Sequence, residues 1–144
     1  MAALLFPSDE WTKTLMDRLN SSAAYTEIAK NWEGDLYFQV ENPNRSVTLV
    51  YLDLWHGRCR RAFLVKPENG HNLTPAFRLS APLENFVKVL RSELDPVQAM
   101  ITGKVKVQGN LVMLMKNIPT VIEFVRTCQQ IETKFEEWPV AGEG

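Results

Sequence analysis

Cysteine is nearly missing. Cys59 and Cys128 are the only two in 144 residues, far apart and without metal-ligand spacing or a CxxC pair. A disulfide framework is therefore not expected, and a reducing compartment fits best. Long apolar runs are missing as well, since nowhere do some twenty apolar residues follow one another. The apolar start, Met1 to Pro7, has no basic region before it and is ended by Pro7 and Asp9, too short for a signal peptide. Excess charge of one sign is lacking: 16 basic side chains face 17 acidic ones, a net charge of −1. That balance argues against a nucleic-acid partner, which calls for a basic surface. Repeats and low-complexity linkers do not occur. The expectation is a cytoplasmic protein that meets membranes, if at all, transiently and from outside.

What is present suits one globular domain. Apolar residues make up 45% and charged residues 23% of a chain long enough to bury a core. Ser8 is a fitting N-cap, followed by Asp9 and Glu10 at the positive end of a helix on which Trp11, Leu15 and Leu19 form a stripe. Asn20-Ser21-Ser22 interrupts it. A second short helix is expected to bury Tyr25, Ile28, Ala29 and Trp32 and to end at Gly34. The period then becomes two: Leu36, Phe38 and Val40 alternate with Tyr37 and Gln39, which reads as a strand. Asn42-Pro43-Asn44 is a turn, and Val47–Leu54 is an interior strand, apolar on both faces. His56-Gly57 is a two-residue hairpin turn leading into a third strand, Cys59–Val65. The polar stretch Pro67–Pro75 precedes a short fourth strand, Ala76–Ser80.

Boundary signals are clear in the second half. Pro82 occupies a first helical position before Leu83, Phe86, Val87 and Leu90. Asp95-Pro96-Val97-Gln98 places an acid at N-cap, proline at N1 and glutamine at N3, and Gly103 closes that short helix. Lys104 to Gln108 alternates strictly as a fifth, half-buried strand ending at Gly109. In the last helical region Leu111, Leu114, Met115, Ile118, Val121, Ile122 and Val125 share one stripe, with Val112, Met113 and Phe124 off it. Pro119 there either kinks the helix or starts a new one. The element order gives an α+β fold, a single sheet with helices gathered on one face.

The run Leu94-Asp95-Pro96-Val97-Gln98-Ala99-Met100-Ile101-Thr102-Gly103-Lys104-Val105-Lys106-Val107-Gln108-Gly109-Asn110 resembles the signature of the sterol carrier protein type two domain. In that family a comparable run joins a helix to the last strand. The element order, the YLDLWHG hairpin and the apolar C-terminal helices match the same pattern over about residues 8–132. The resemblance implies a five-stranded mixed sheet with an apolar tunnel beneath the helices for fatty acyl chains, acyl-CoA, sterols or phospholipids. It implies that Pro67–Pro75 is a crossover. It divides the chain into an extension (1–7), the lipid-binding domain (8–132) and an acidic, loosely ordered tail (133–144). The tunnel residues it implies are Phe63, Phe86, Leu90, Met100, Val105, Val107, Leu111, Leu114, Met115, Ile118, Ile122 and Val125. Met100, Met113 and Met115 suit an adaptable wall or plain core filling. No cofactor or metal is implied, and no fused catalytic domain.

Three constellations need weighing. Asp53, His56 and Cys59 are spaced like a nucleophilic triad, but pairing Leu54 with Cys59 and Asp53 with Arg60 across the turn sends Cys59 and Asp53 to opposite faces. Asp53 and Arg60 then read as an ion pair. The same register sets Arg61 opposite Leu52 on the helix-covered face. There it anchors a lipid headgroup, snorkels to the sheet edge or pairs with an acidic helix residue. The other face, with Leu49, Tyr51, Trp55 and Leu64 beside Arg58 and Arg60, is a candidate homodimer surface or is covered by the chain itself. The first functional reading is a lipid binder or carrier without catalytic activity. The alternatives are a small α+β enzyme acting on an apolar substrate, and an interaction module with a collapsed cavity.

Overall fold

In a computed structural model the described residues are 3–70 and 73–136. Helix α1 (Asp9–Ser21) starts where Ser8 Oγ accepts the Trp11 backbone N–H at 3.0 Å, and α2 (Ala23–Ile28) starts at Ser22 in the same way. The second helix is shorter than its apolar spacing predicts, ending at Ile28 rather than near Gly34. Ile28, its last residue, is exposed, while Trp32 stays buried beyond the helix with its indole N–H on the Gly34 carbonyl.

Strands β2 (Leu36–Glu41), β3 (Val47–Trp55) and β4 (Arg58–Leu64) form an antiparallel meander. The turn between β3 and β4 has φ of 50° at His56 and 79° at Gly57, the left-handed pair that a two-residue hairpin requires. Strand β5 (Phe77–Pro82) runs parallel to β2, so the chain after β4 crosses the sheet, as the resemblance implies. Within that connection, His71 and Asn72 lie outside the described residues. The sheet order is β4-β3-β2-β5-β6, with β6 (Lys106–Gln108) on the far edge.

Helices α3 (Leu83–Leu90), α4 (Pro96–Ile101), α5 (Leu111–Lys116) and α6 (Ile118–Gln129) complete the layer over one face. Pro82 closes β5 and stands just before α3. Asp95 Oδ1 accepts the Gln98 N–H at 3.0 Å, so this N-cap works as its spacing predicts. Expected to be loose, Thr133–Phe135 instead forms a strand, β7, pairing in parallel with β1 (Leu4–Phe6). Trp11 Nε1 donating to Thr133 Oγ1 at 2.9 Å and the T-shaped Phe6–Trp11 contact hold this small sheet against α1. The remaining tail, 137–144, lies outside the described residues.

One register differs from the expected one, with large consequences. Leu54 pairs with Cys59, but Asp53 pairs with Arg61, leaving Arg60 as the extra residue of a β-bulge. A one-residue insertion exchanges the faces of everything beyond it. Ala62 and Leu64 therefore face the helices opposite Leu52 and Val50, and Arg61 and Phe63 turn to the other side.

Candidate functional site

A cavity of about 110 Å³ lies between the inner face of the sheet and the helices. Leu36, Phe38, Leu54 and Leu79 form its floor, all inward by the alternation that pairs Leu36 with Leu52 and Phe38 with Leu79. Phe86, Val89 and Leu90 of α3, Pro96 and Met100 of α4, and Leu114 of α5 close it on the helix side, with Val105 beside them. From α6 come Thr120, Val121, Phe124, Val125 and Cys128, while Phe6, Trp11, Tyr25 and Trp32 shut the remaining wall. None of these side chains carries a charge. The polar ones are restrained: Thr120 Oγ1 donates to the Ile28 carbonyl, burial pushes the Cys128 thiol up, and burial followed by nearby Cys59 and Cys128 does the same to the Tyr25 hydroxyl. The volume is below the roughly 300–1,000 Å³ usual for small-molecule sites. A long ligand requires the wall to move.

Among the residues implied from sequence, Phe86, Leu90, Met100, Val105, Leu114 and Val125 line this space. Val107 sits on the inner side of β6, paired with Leu79, yet outside the cavity wall. Ile118 is half-buried and also outside it. Leu111, Met115 and Ile122 are corrections: they are 52%, 42% and 42% exposed. The single stripe assumed one continuous helix. The helix stops at Lys116 and restarts at Ile118 with Pro119 in its first turn, so α6 buries Thr120, Phe124, Thr127 and Cys128 instead. Phe124, set off the stripe by sequence spacing, is a central wall residue.

Phe63 and Arg61 are corrections too, moved by the bulge to the outer face. Phe63 packs on Tyr51 with ring centroids 5.2 Å apart. The Arg61 side chain is 58% exposed and lies over the Tyr51 ring, its Nε 3.7 Å from Asp53 Oδ2, so it holds no place in the cavity. Arg60, the bulge residue, still pairs with Asp53 at 3.0 Å, as expected but from a different backbone geometry. Tyr51 itself is only 1% exposed, covered by its own neighbours and donating to Asp35 Oδ2 at 2.7 Å, while Trp55, the other residue of the candidate homodimer face, is 39% exposed.

Asp53, His56 and Cys59 do not converge. His56 Nε2 is 2.6 Å from Glu33 Oε2, and Cys59 Sγ donates to the Arg61 carbonyl. Burial and the charge of Asp53 push the Cys59 thiol up to about 12, the reverse of an activated nucleophile. Among the described residues no cluster of three or more His, Cys, Asp or Glu side chains gathers to hold a metal, and no helix is long and apolar enough to cross a membrane.

The motif that carries the resemblance now has a physical reading. Gly103 takes φ +78° just after α4, and Gly109 takes φ +133° where an added Cβ would come within 2.5 Å of the Ala76 carbonyl oxygen. Asn110 caps α5 by accepting the Met113 N–H at 3.0 Å. The run thus delivers the chain from α4, across the edge of the sheet, into the helices over the cavity.

The comparisons agree with this geometry. The sequence model of the SCP-2 sterol transfer family matches residues 12–121. The chain belongs to that family. Its fold is similar to a crystal structure of sterol carrier protein 2, at TM-score 0.78 and 28% identity, over 86% of this chain and 97% of the other. It is also similar to a conserved protein from Thermus thermophilus, described as possibly a sterol carrier protein, at TM-score 0.79 and 27% identity over 93% and 94%. The apo form of sterol carrier protein 2 from Yarrowia lipolytica shares the fold at TM-score 0.56 and 17% identity, over 82% and 88%. No curated protein matches the sequence.

Proposed function

We propose that this protein is a lipid carrier of the cytoplasm that takes the apolar body of its ligand into the cavity beneath α3–α6. The observation that carries the reading is a charge-free cavity wall in a chain of this family. Burying a sixteen-carbon chain yields roughly 12 kcal/mol at ~0.8 kcal/mol per methylene, against association costs of about 4–15 kcal/mol. At the low end of those costs about 8 kcal/mol remains, enough for micromolar affinity from apolar contact alone, and no catalytic group takes part.

The same wall selects among lipids. Without a cation inside, a carboxylate or phosphate head costs too much to bury and must stay at the mouth. Sterols and single acyl chains with the head left outside are the favoured ligands, and the similar structures are named for the first of these.

Titration with a fluorescent sterol and a fluorescent fatty acid, alongside mass spectrometry of lipids extracted from the purified protein, tests this. Uptake of either supports the carrier. Absence of both overturns it in favour of an interaction module with a collapsed interior, the reading that the small volume of about 110 Å³ supports.

A further inference from the structure

The bulge that exchanges faces along β4 also sets two arginines side by side. Arg61 stands opposite Asp53, with the bulge residue Arg60 just before it, and both reach the carboxylate. Arg60 Nη2 lies 3.0 Å from Oδ1 and Arg61 Nε 3.7 Å from Oδ2. Next to the hairpin turn, Arg58 stands opposite Trp55, and the Arg60 guanidinium lies over the Trp55 ring, 4.8 Å from its centroid. Arg58, Arg60, Arg61 and Trp55 thus form one continuous patch on the outer face of the sheet, away from the cavity. All four are exposed, whereas Trp11 and Trp32 are buried.

The cations exceed what the fold uses. Asp53 is a single carboxylate with a buried side chain, and one guanidinium suffices to neutralise it. Among the described residues Arg58 has no ion-pair partner. The other carboxylates close by are already engaged. Asp35 accepts from the Tyr51 hydroxyl and the Ala76 N–H, and Glu33 holds His56. What a partner meets first is guanidinium and indole. Arg60 is gripped by Asp53 and Trp55, and Arg61 lies over the Tyr51 ring, so their free N–H donors are held in place before anything binds. Tryptophan and arginine are also the side chains that dominate binding energy at protein interfaces.

We infer that this patch docks an acidic segment of another protein, its carboxylates on Arg58, Arg60 and Arg61 and an apolar side chain on the Trp55 ring. Charge complementarity selects the occupant, since planar guanidiniums take carboxylates in two-point contact. A second copy set face to face would oppose arginine to arginine, its own carboxylates being buried or engaged. A bilayer calls for several apolar side chains, and the patch has only Trp55. The partner does not add as a strand, because Asn20, Asp9 and Lys13 of α1 already bond the free edge of β4. The patch and the cavity lie on opposite faces of the sheet, so an acidic partner leaves the cavity free.

The test is fluorescence anisotropy of a labelled glutamate-rich peptide with one central leucine, titrated with the full chain at low salt. Binding is expected, weaker as salt rises, and absent for the same peptide with lysine in place of glutamate. Arg58→Glu and Trp55→Ala should each weaken it roughly tenfold or more. Lys104→Glu, just before β6 at the opposite edge of the sheet, makes the same change in net charge as Arg58→Glu and should leave binding as in wild type. An unchanged urea midpoint verifies that the variants fold. Should Trp55→Ala lose stability with the Arg60 stack, Arg58→Glu decides alone, since Arg58 is exposed and outside the Asp53 ion pairs. Absence of peptide binding overturns the inference, and so does binding that Arg58→Glu leaves unchanged. An oligonucleotide or phosphatidylserine vesicles bound through Arg58 in place of the peptide would assign the patch to a phosphate partner and overturn it as well. Self-association of the protein that Arg58→Glu disperses, without peptide binding, would do the same.

Discussion

The side-chain amide of Asn20 holds both backbone groups of Cys59: Oδ1 accepts the N–H at 2.8 Å and Nδ2 donates to the carbonyl at 2.9 Å. Strand β4 is an edge of the sheet, and α1 lies along it as a polar strip. Asp9 Oδ1 accepts the Leu64 N–H at 3.0 Å, and Lys13 Nζ donates to the Ala62 carbonyl at 2.7 Å. These side chains occupy the place of a sixth strand and block edge-to-edge pairing. Cys59 is 2% exposed, so Asn20→Ala leaves two buried backbone groups unpaired. A loss of about 1–3 kcal/mol is expected. A lowered urea midpoint at constant slope measures it, and an unchanged midpoint refutes the role assigned to Asn20.

The two motif glycines should respond unequally. Gly103 has a positive φ but open space around its missing Cβ, so Gly103→Ala carries only the left-handed backbone cost of about 1–2 kcal/mol. Gly109→Ala adds a clash with the Ala76 carbonyl and the Phe77 ring. It should be clearly the more destabilising of the two in urea denaturation. Equal losses would mean that β6 does not pass Ala76 this closely.

Alkaline pH should weaken the fold. Cys59 is raised from 9.0 to about 12 by burial, then by Asp53, and burial raises Cys128 and Tyr25 as well. Above about pH 9 the unfolded chain releases thiol protons that the folded chain retains. The stabilisation is therefore complete below that pH and is lost as pH rises toward the folded value near 12. The urea midpoint should be level to about pH 8 and fall beyond it. The double variant Cys59→Ala/Cys128→Ala should start lower and fall less steeply. An identical slope would show that the thiols contribute nothing to it.

Much of this architecture was legible because its signals are local. Ser8, Asp95 and Gly103 mark helix ends with their own backbone chemistry, and His56-Gly57 dictates its turn. What failed to show were features set by a single inserted residue or a single break. The bulge at Arg60 carries no distinctive residue, yet it moved Arg61 and Phe63 from the inner to the outer face. The stop at Asn117 rotated α6, exchanging Ile122 for Phe124 as a wall residue. Asn20, the clamp on Cys59, read only as a helix interrupter, since nothing in its neighbourhood of sequence points to a strand so far along the chain. The strand Thr133–Phe135 needs its partner Leu4–Phe6, a pairing between distant segments that short polar and apolar patterns do not reveal.

The α6 break decides how the cavity is best probed. Met115 and Ile122 lie on an apolar spacing, but both face solvent. Val125 lines the cavity and is half-buried. A tryptophan at Val125 projects into the space of about 110 Å³, whereas one at Ile122 stays outside. If that space admits ligand, Val125→Trp should lower uptake of a fluorescent sterol about tenfold or more, about 1.4 kcal/mol of binding. Its urea midpoint should shift less than overpacking of a filled core demands, which is about 1–3 kcal/mol. Ile122→Trp should change neither quantity. A Val125→Trp protein that unfolds easily while its folded fraction binds sterol as well as wild type would mean that ligand sits elsewhere and that these side chains are core.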